Sequence, residues 1–196
     1  IKDKIALFCN VSKYHVIQNL DVETLYEAPL AMEKEHLADI ACKCLHLECP
    51  TPDLADWEKM IEAVKHPTQS VRVALVGKYT SLHDAYISVV EALKHGGIPH
   101  NATVDIKWVN SEDVTRENAA EYFNDIDGII VPGGFGTRGM DGKIHAIEYA
   151  RVHNIPFLGL CVGMQLAIVE FARNVLDLRD AHSMSLILLL PIQLLT

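Results

Sequence analysis

No two cysteines in this sequence are separated by two residues, and the five present, at 9, 42, 44, 49 and 161, make an odd set. That excludes CxxC redox motifs and suits a reducing compartment better than a disulfide framework, so the cytoplasm is the expected location. Cys42, Cys44 and Cys49 beside His36 or His46 invite a metal reading. The spacing C-x-C-x4-C lacks the second ligand pair of zinc sites, however, and the three are read as packing residues, with no metal expected. Basic residues nowhere cluster beyond a scattered pair, and 17 Lys and Arg against 26 Asp and Glu give a net charge of -9. A surface for nucleic acid or an anionic membrane is therefore not indicated. No apolar run reaches the roughly 20 residues of a bilayer span, and no signal-peptide core is present.

What is present is organised. At 196 residues and 49% apolar content, the chain is long enough for one α/β domain or about one and a half. Residues 4–11 read as a buried strand, and a chain that opens inside a strand is expected to be a piece of a longer one. Residues 21–26 and 30–47 read as short helical pieces. Residues 51–70, with Pro52 and Pro67 around a helix near Trp57, read as a connector. Strands follow at 71–76, 104–109, 128–131 and 156–160, alternating with helices at 85–95 (closed by Gly96-Gly97), 143–152 and 163–173. Such alternation implies a doubly wound, mostly parallel sheet whose sites lie beyond the carboxyl ends of its strands.

Two features fall at those ends. Gly159-Leu160-Cys161-Val162-Gly163 follows an apolar strand and opens a helix, which places the cysteine on a strand-to-helix elbow between small residues. Elbow geometry exposes the sulfur, and a helix N-terminus favours the thiolate that attacks carbonyl carbon. A lone cysteine is ordinarily a small buried hydrophobe; the flanking glycines favour the nucleophile here. The second feature is the glycine run at 133–139, whose backbone N–H groups at a strand end are suited to an oxyanion. A phosphate loop is the poorer reading, because the run has no Walker lysine followed by Ser or Thr.

With PGGFG at 132–136 and GLCVGMQ at 159–165, the sequence resembles the class I glutamine amidotransferases. KIALFCNV (4–11), ALVGKY (74–79), DAYISVVEALKHGG (84–97) and FARNV (171–175) narrow the resemblance to the CTP synthase family, over about residues 2 to 184. The resemblance implies the end of a P-loop-type synthetase domain at 1–50, a linker at 51–70 and an incomplete amidotransferase domain at 71–184. It implies an enzyme in which ATP, with Mg2+, phosphorylates the 4-oxygen of UTP and ammonia from glutamine displaces the phosphate to give CTP. GTP would be the activator and a homotetramer the complete assembly. Residue by residue it casts Cys161 as nucleophile, with Gly134, Val162, Gly163, Met164 and Gln165 at the glutamine. Lys4 would touch UTP or CTP, Leu20, Asp21 and Val22 would lie against ATP, and Arg138 would sit in a GTP-responsive lid. Val162 stands where the family has Leu, and Leu20 where some members have a basic residue; in both cases the backbone is what the role needs.

The resemblance also implies parts that these residues do not contain. The P-loop lysine and acidic Mg2+ ligands would precede Ile1, and a His-Pro-Glu segment carrying the cysteine's base would follow Thr196. None of His145, His153 and His182 has that context, so the chain alone is expected to turn over poorly. After Met184 the family continues Glu-Phe-Asp-Pro, where this chain has Ser185 and an apolar tail to 196. Back-translation with one restored base reproduces family-like text, which makes the tail a candidate frameshift. Two rival readings remain: a non-catalytic glutaminase-like binding module, and another class I amidotransferase, the latter opposed by residues 4–11.

Overall fold

The computed structural model describes residues 1–134 and 136–183; the apolar tail at 185–196 lies outside the described residues. The chain divides into two compact units, Ile1–Pro67 and Thr68–Thr196.

The first unit is helical: α1 (Lys2–Cys9), α2 (Ala28–Lys34), α3 (Leu37–Cys44) and α4 (Ala55–Lys65). The strand expected at 4–11 is thus a helix, ended by Asn10 in the left-handed conformation. Periodicity cannot separate a short apolar run in a strand from one in a helix. Here only Ala6 of the run is buried, while Leu7 and Phe8 are exposed. Within this unit the α4 helix is held by its Trp57 indole, which donates to the Tyr26 carbonyl at 2.8 Å, and by Lys65, whose amine lies 2.7 Å from Glu23 and 3.0 Å from Glu27.

The second unit is an α/β layer structure. Strands β1 (Gln69–Gly77), β2 (Ala102–Asn110), β3 (Gly128–Val131) and β4 (Phe157–Gly159) are all parallel, in the order β2-β1-β3-β4. Successive side chains of a strand point to opposite faces, and residues 73–76 of β1 and the whole of β3 are apolar because both faces are covered there; Arg72, earlier in β1, is exposed and pairs with Asp105 and Asp125. Ala74, Val76, Ile129 and Val131 face one core with α6 (Ala119–Phe123), α7 (Met140–Val152) and α8 (Val162–Asn174). Leu75 and Ile130 face the other, under α5 (Ile87–Gly97). The doubly wound sheet is therefore as the alternation of elements predicts, with α6 a helix of this unit that the sequence pattern did not signal.

The Gly96-Gly97 pair does not close α5 as a cap. The helix runs through Gly97, where an added β-carbon would meet the Ala102 carbonyl and stand 3.1 Å from Val104 Cγ2. Close approach to β2 is what requires this glycine; the left-handed residue comes later, at Asn101.

One polar group is packed into the α7–α8 contact. Glu170, 1% exposed, accepts from Arg151 Nη2 at 2.7 Å and Nε at 3.1 Å, and from Asn174 Nδ2 at 3.0 Å. Removing one partner of such a pair strands the other. Arg151 is 35% exposed and regains water in part, so Glu170→Ala is expected to cost about 2 kcal/mol in urea unfolding. A change under about 0.5 kcal/mol would show the pair to be energetically neutral.

Candidate functional site

Because the strand order reverses between β1 and β3, the crevice of this sheet opens outside their carboxyl ends. Lys78 follows β1, residues 132–139 follow β3, Ser111 follows β2, and Leu160-Cys161 follow β4. Backbone hydrogen bonds draw these ends together: Ser111 N–H donates to the Gly77 carbonyl at 2.8 Å and Leu160 N–H to the Val131 carbonyl at 2.9 Å.

Cys161 is where the chain leaves β4 and enters α8. Its backbone has φ 50° and ψ -106°, a conformation that costs a non-glycine residue about 1–3 kcal/mol and persists only where the surroundings enforce it. The enforcement comes from the two glycines. A β-carbon on Gly159 would stand 2.6 Å from the Met164 nitrogen, and one on Gly163 would meet the Val131 carbonyl, 2.9 Å from its carbon. The turn therefore closes with glycine against backbone on both sides, and the thiol is left exposed at the start of the helix.

The glycine run passes directly over it. A β-carbon on Gly133 would lie 3.3 Å from Cβ and 3.9 Å from Sγ of Cys161. Gly136 and Gly139 have φ of 82° and 71°, which only glycine adopts at little cost. Gly139 also sits against the Ser111 hydroxyl, a fully buried group with no hydrogen-bond partner among the described residues. Gly134, Gly136 and Gly139 do have the spacing G-x-G-x-x-G. A dinucleotide loop carries that fingerprint at its first strand-to-helix turn, whereas this run follows β3, so the likeness is one of spacing alone.

Of the residues singled out from the sequence, Gly134 and Cys161 are brought to one edge of the sheet. Val162 and Gly163 are buried, Met164 is 54% exposed, and Gln165 is half-buried, its Oε1 accepting from the Ser183 hydroxyl at 2.7 Å. Arg138 stacks over the Tyr79 ring at 5.7 Å and lies 3.4 Å from Glu112. Lys4, on α1, and Leu20 are exposed residues of the first unit; Asp21 and Val22 line a cavity of about 330 Å³ there with Glu27, Lys34 and Lys65. The histidines have other neighbours: His145 lies 3.9 Å from Glu148, and His153 packs against Tyr149 in a tilted pair with ring centroids 4.1 Å apart. Among the described residues no group of three or more His, Cys, Asp or Glu could hold a metal, so those residues do not fit a Mg2+ site. No helix among them is long and apolar enough to cross a membrane.

Sequence reasoning passed over Lys143. It is 2% exposed on α7, and burial together with the nearby charge of Lys78 pushes its amine down to about 8. Helical spacing held a signal, because Lys143 falls in line with Ile147 and Ala150 on the buried stripe.

A doubly wound parallel sheet with a strained cysteine on the elbow after one strand and a glycine turn after its neighbour defines an α/β class of cysteine-elbow proteins. A family model described as "Glutamine amidotransferase class-I" matches residues 81–187, and one described as "CTP synthase N-terminus" matches residues 1–47. The chain belongs to the class-I glutamine amidotransferase family. It is similar to the CTP synthases of Ruminiclostridium cellulolyticum (57% identical), Clostridium kluyveri (56%) and Listeria monocytogenes serotype 4b (55%). Each match runs over 183 residues, 93% of this chain and 34% of the relative. The chain thus spans about a third of the length of the curated relatives it matches. Among solved structures, the glutaminase domain of Trypanosoma brucei CTPS with bound acivicin is 43% identical with a TM-score of 0.55. The match covers 59% of this chain and 45% of that one.

Proposed function

We propose that this chain carries the glutamine-hydrolysing nucleophile of a CTP synthase, and the observation that bears the most weight is the strained Cys161 held under the glycine turn. The sulfur adds to the carboxamide carbon of glutamine, a C–S bond forms, and the carbonyl oxygen takes up negative charge between the N–H groups of Gly134 and Val162. Collapse breaks the C–N bond, the leaving nitrogen takes a proton and departs as ammonia, and water then cleaves the thioester to glutamate. Residues 162–165 open the helix beside the thiol and form the floor of the glutamine pocket, with Met164 the most exposed of them.

In the whole protein the ammonia displaces phosphate from UTP phosphorylated by ATP, so the products are CTP, ADP and phosphate. Residues 1–50 represent the end of the synthetase domain, 51–70 the linker and 71–184 the amidotransferase portion. Lys4 faces UTP or CTP, and Leu20, Asp21 and Val22 face ATP. Arg138, held by Tyr79 and Glu112, is the lid residue that responds to GTP. Mg2+ accompanies ATP on residues of the synthetase domain beyond those in this chain, the complete assembly is a homotetramer, and the location is cytoplasmic.

The test uses the other four cysteines as internal controls, since Cys9, Cys44 and Cys49 are exposed, as Cys161 is, and Cys42 is partly so. Acivicin, a glutamine-like electrophile, is expected to modify Cys161 selectively, with glutamine protecting it, as read by peptide mapping. Scattered modification with no protection by glutamine would falsify the assignment.

A further inference from the structure

Gly133 and Gly134 form a thin wall with different chemistry on its two sides. Gly133 faces the nucleophile, with its β-carbon position 3.9 Å from Cys161 Sγ. Gly134, next in the chain, faces amines: its β-carbon position is 3.9 Å from Lys143 Nζ and 3.5 Å from Lys78 Cε, and that of Gly136 is 3.7 Å from Lys78 Nζ. Lys143 is 2% exposed, and among the described residues no carboxylate pairs with it. A lysine is seldom held away from water without a counter-charge. What its ammonium lies beside instead is Gly134, whose β-carbon position is 3.9 Å away.

We propose that Lys143 is a positioning residue for thioester formation, its ammonium group backing the wall at Gly133 and Gly134 so that the Gly134 N–H stays aimed at the substrate oxygen above Cys161. This rests on the glutaminase reading given above. A peptide group is a single dipole, so a cation held against it in a low-dielectric setting favours one direction of that dipole over the others. The glycines leave the wall thin enough for such an effect and too flexible to hold its own orientation. The amine does this only while protonated.

The charged groups around Lys143 are few. Lys78 at the end of β1 is the one whose charge bears on it. Asp141 and His145 share its helix, Arg138 and Glu112 are paired with each other at the turn before it, and Cys161 opens α8 across the wall. Further along α8, Glu170 is held by Arg151, α6 brings Glu121 and Tyr122, and β3 and β4 carry no titratable side chain.

The experiment measures the rate of Cys161 modification in the full chain by acivicin and, in parallel, by iodoacetamide, between about pH 6 and pH 9.5. Iodoacetamide reports the thiolate alone, whereas acivicin also needs the substrate-shaped site. Lys143→Met is expected to slow acivicin about tenfold at neutral pH and leave iodoacetamide within about twofold, and Lys143→Arg to restore most of the loss. In the unsubstituted chain the ratio of the two rates is expected to fall above about pH 8, where Lys143 gives up its proton; the fall is absent from both variants. Unchanged rates in Lys143→Met, an equal drop for both reagents, or a ratio independent of pH in the unsubstituted chain overturns the proposal. Iodoacetamide labelling of Cys161 with no acivicin labelling at all in the unsubstituted chain overturns the glutaminase reading, and this proposal with it.

Discussion

Gly163→Ala is expected to destabilise the second unit by about 3 kcal/mol or more and to displace the thiol at the same time. The added methyl would point at the Val131 carbonyl, with the Val131 carbonyl carbon 2.9 Å and Cβ 3.1 Å away. Those atoms belong to β3, an interior strand paired on both sides, so neither rotamer change nor loop movement relieves the overlap. The remaining escape is to lift α8 off the sheet, which breaks the packing of Val162, Leu166 and Val169 against the core. Gly96→Ala provides the control: nothing lies within 4 Å of its β-carbon position in α5, and helix propensity predicts a gain of about 0.5–1 kcal/mol. Urea unfolding of both variants checks the pair. Equal, small effects would mean that the elbow relaxes freely and that its glycines are incidental.

Lys143→Met should instead make the chain more stable, by up to about 3 kcal/mol at pH 7, even as it slows the chemistry at Cys161. The folded amine titrates at about 8, against 10.5 when exposed. Below about 8 the lysine is charged in both states, and the folded chain bears the full cost of holding that charge away from water. Between about 8 and 10.5 the unfolded state binds the extra proton, so stability contributed by this site rises with pH and the cost disappears. The advantage of methionine is therefore largest at neutral pH and fades as pH approaches 10.5. Comparing the two proteins across that range isolates this one group from the other lysines and tyrosines. A variant no more stable than its parent at pH 7 would show that the ammonium is compensated where it lies. A residue that lowers stability in the folded state yet sits behind a reactive centre is what a trade between stability and activity looks like at a single position.

Much of the second unit was legible before any coordinates. Residues 73–76, inside the strand read at 71–76, and 128–131 are uninterrupted apolar runs because β1 and β3 are covered on both faces there, and such runs between helical segments have few other interpretations. The elbow was equally plain, since glycines two residues either side of a cysteine between a strand and a helix leave little freedom. The first unit was harder. Residues 4–11 are as apolar as β1, but the eight residues of α1 are too short for periodicity to distinguish a helix from a strand, and the run buries only Ala6.

By itself the sequence determined the alternation of strands and helices, the position of the cysteine in that alternation and the membership of an amidotransferase family. All three depend on local order: apolar period, turn residues and motif spacing along the chain. Tertiary structure alone decided that Gly133 lies over the Cys161 sulfur and that Gly134 backs onto Lys143, because these residues belong to different strand ends and helices. It also decided the ionisation of Lys143, a lysine like any other in the sequence until burial and the charge of Lys78 act on it. Burial and the approach of distant charges arise only when the chain has closed on itself.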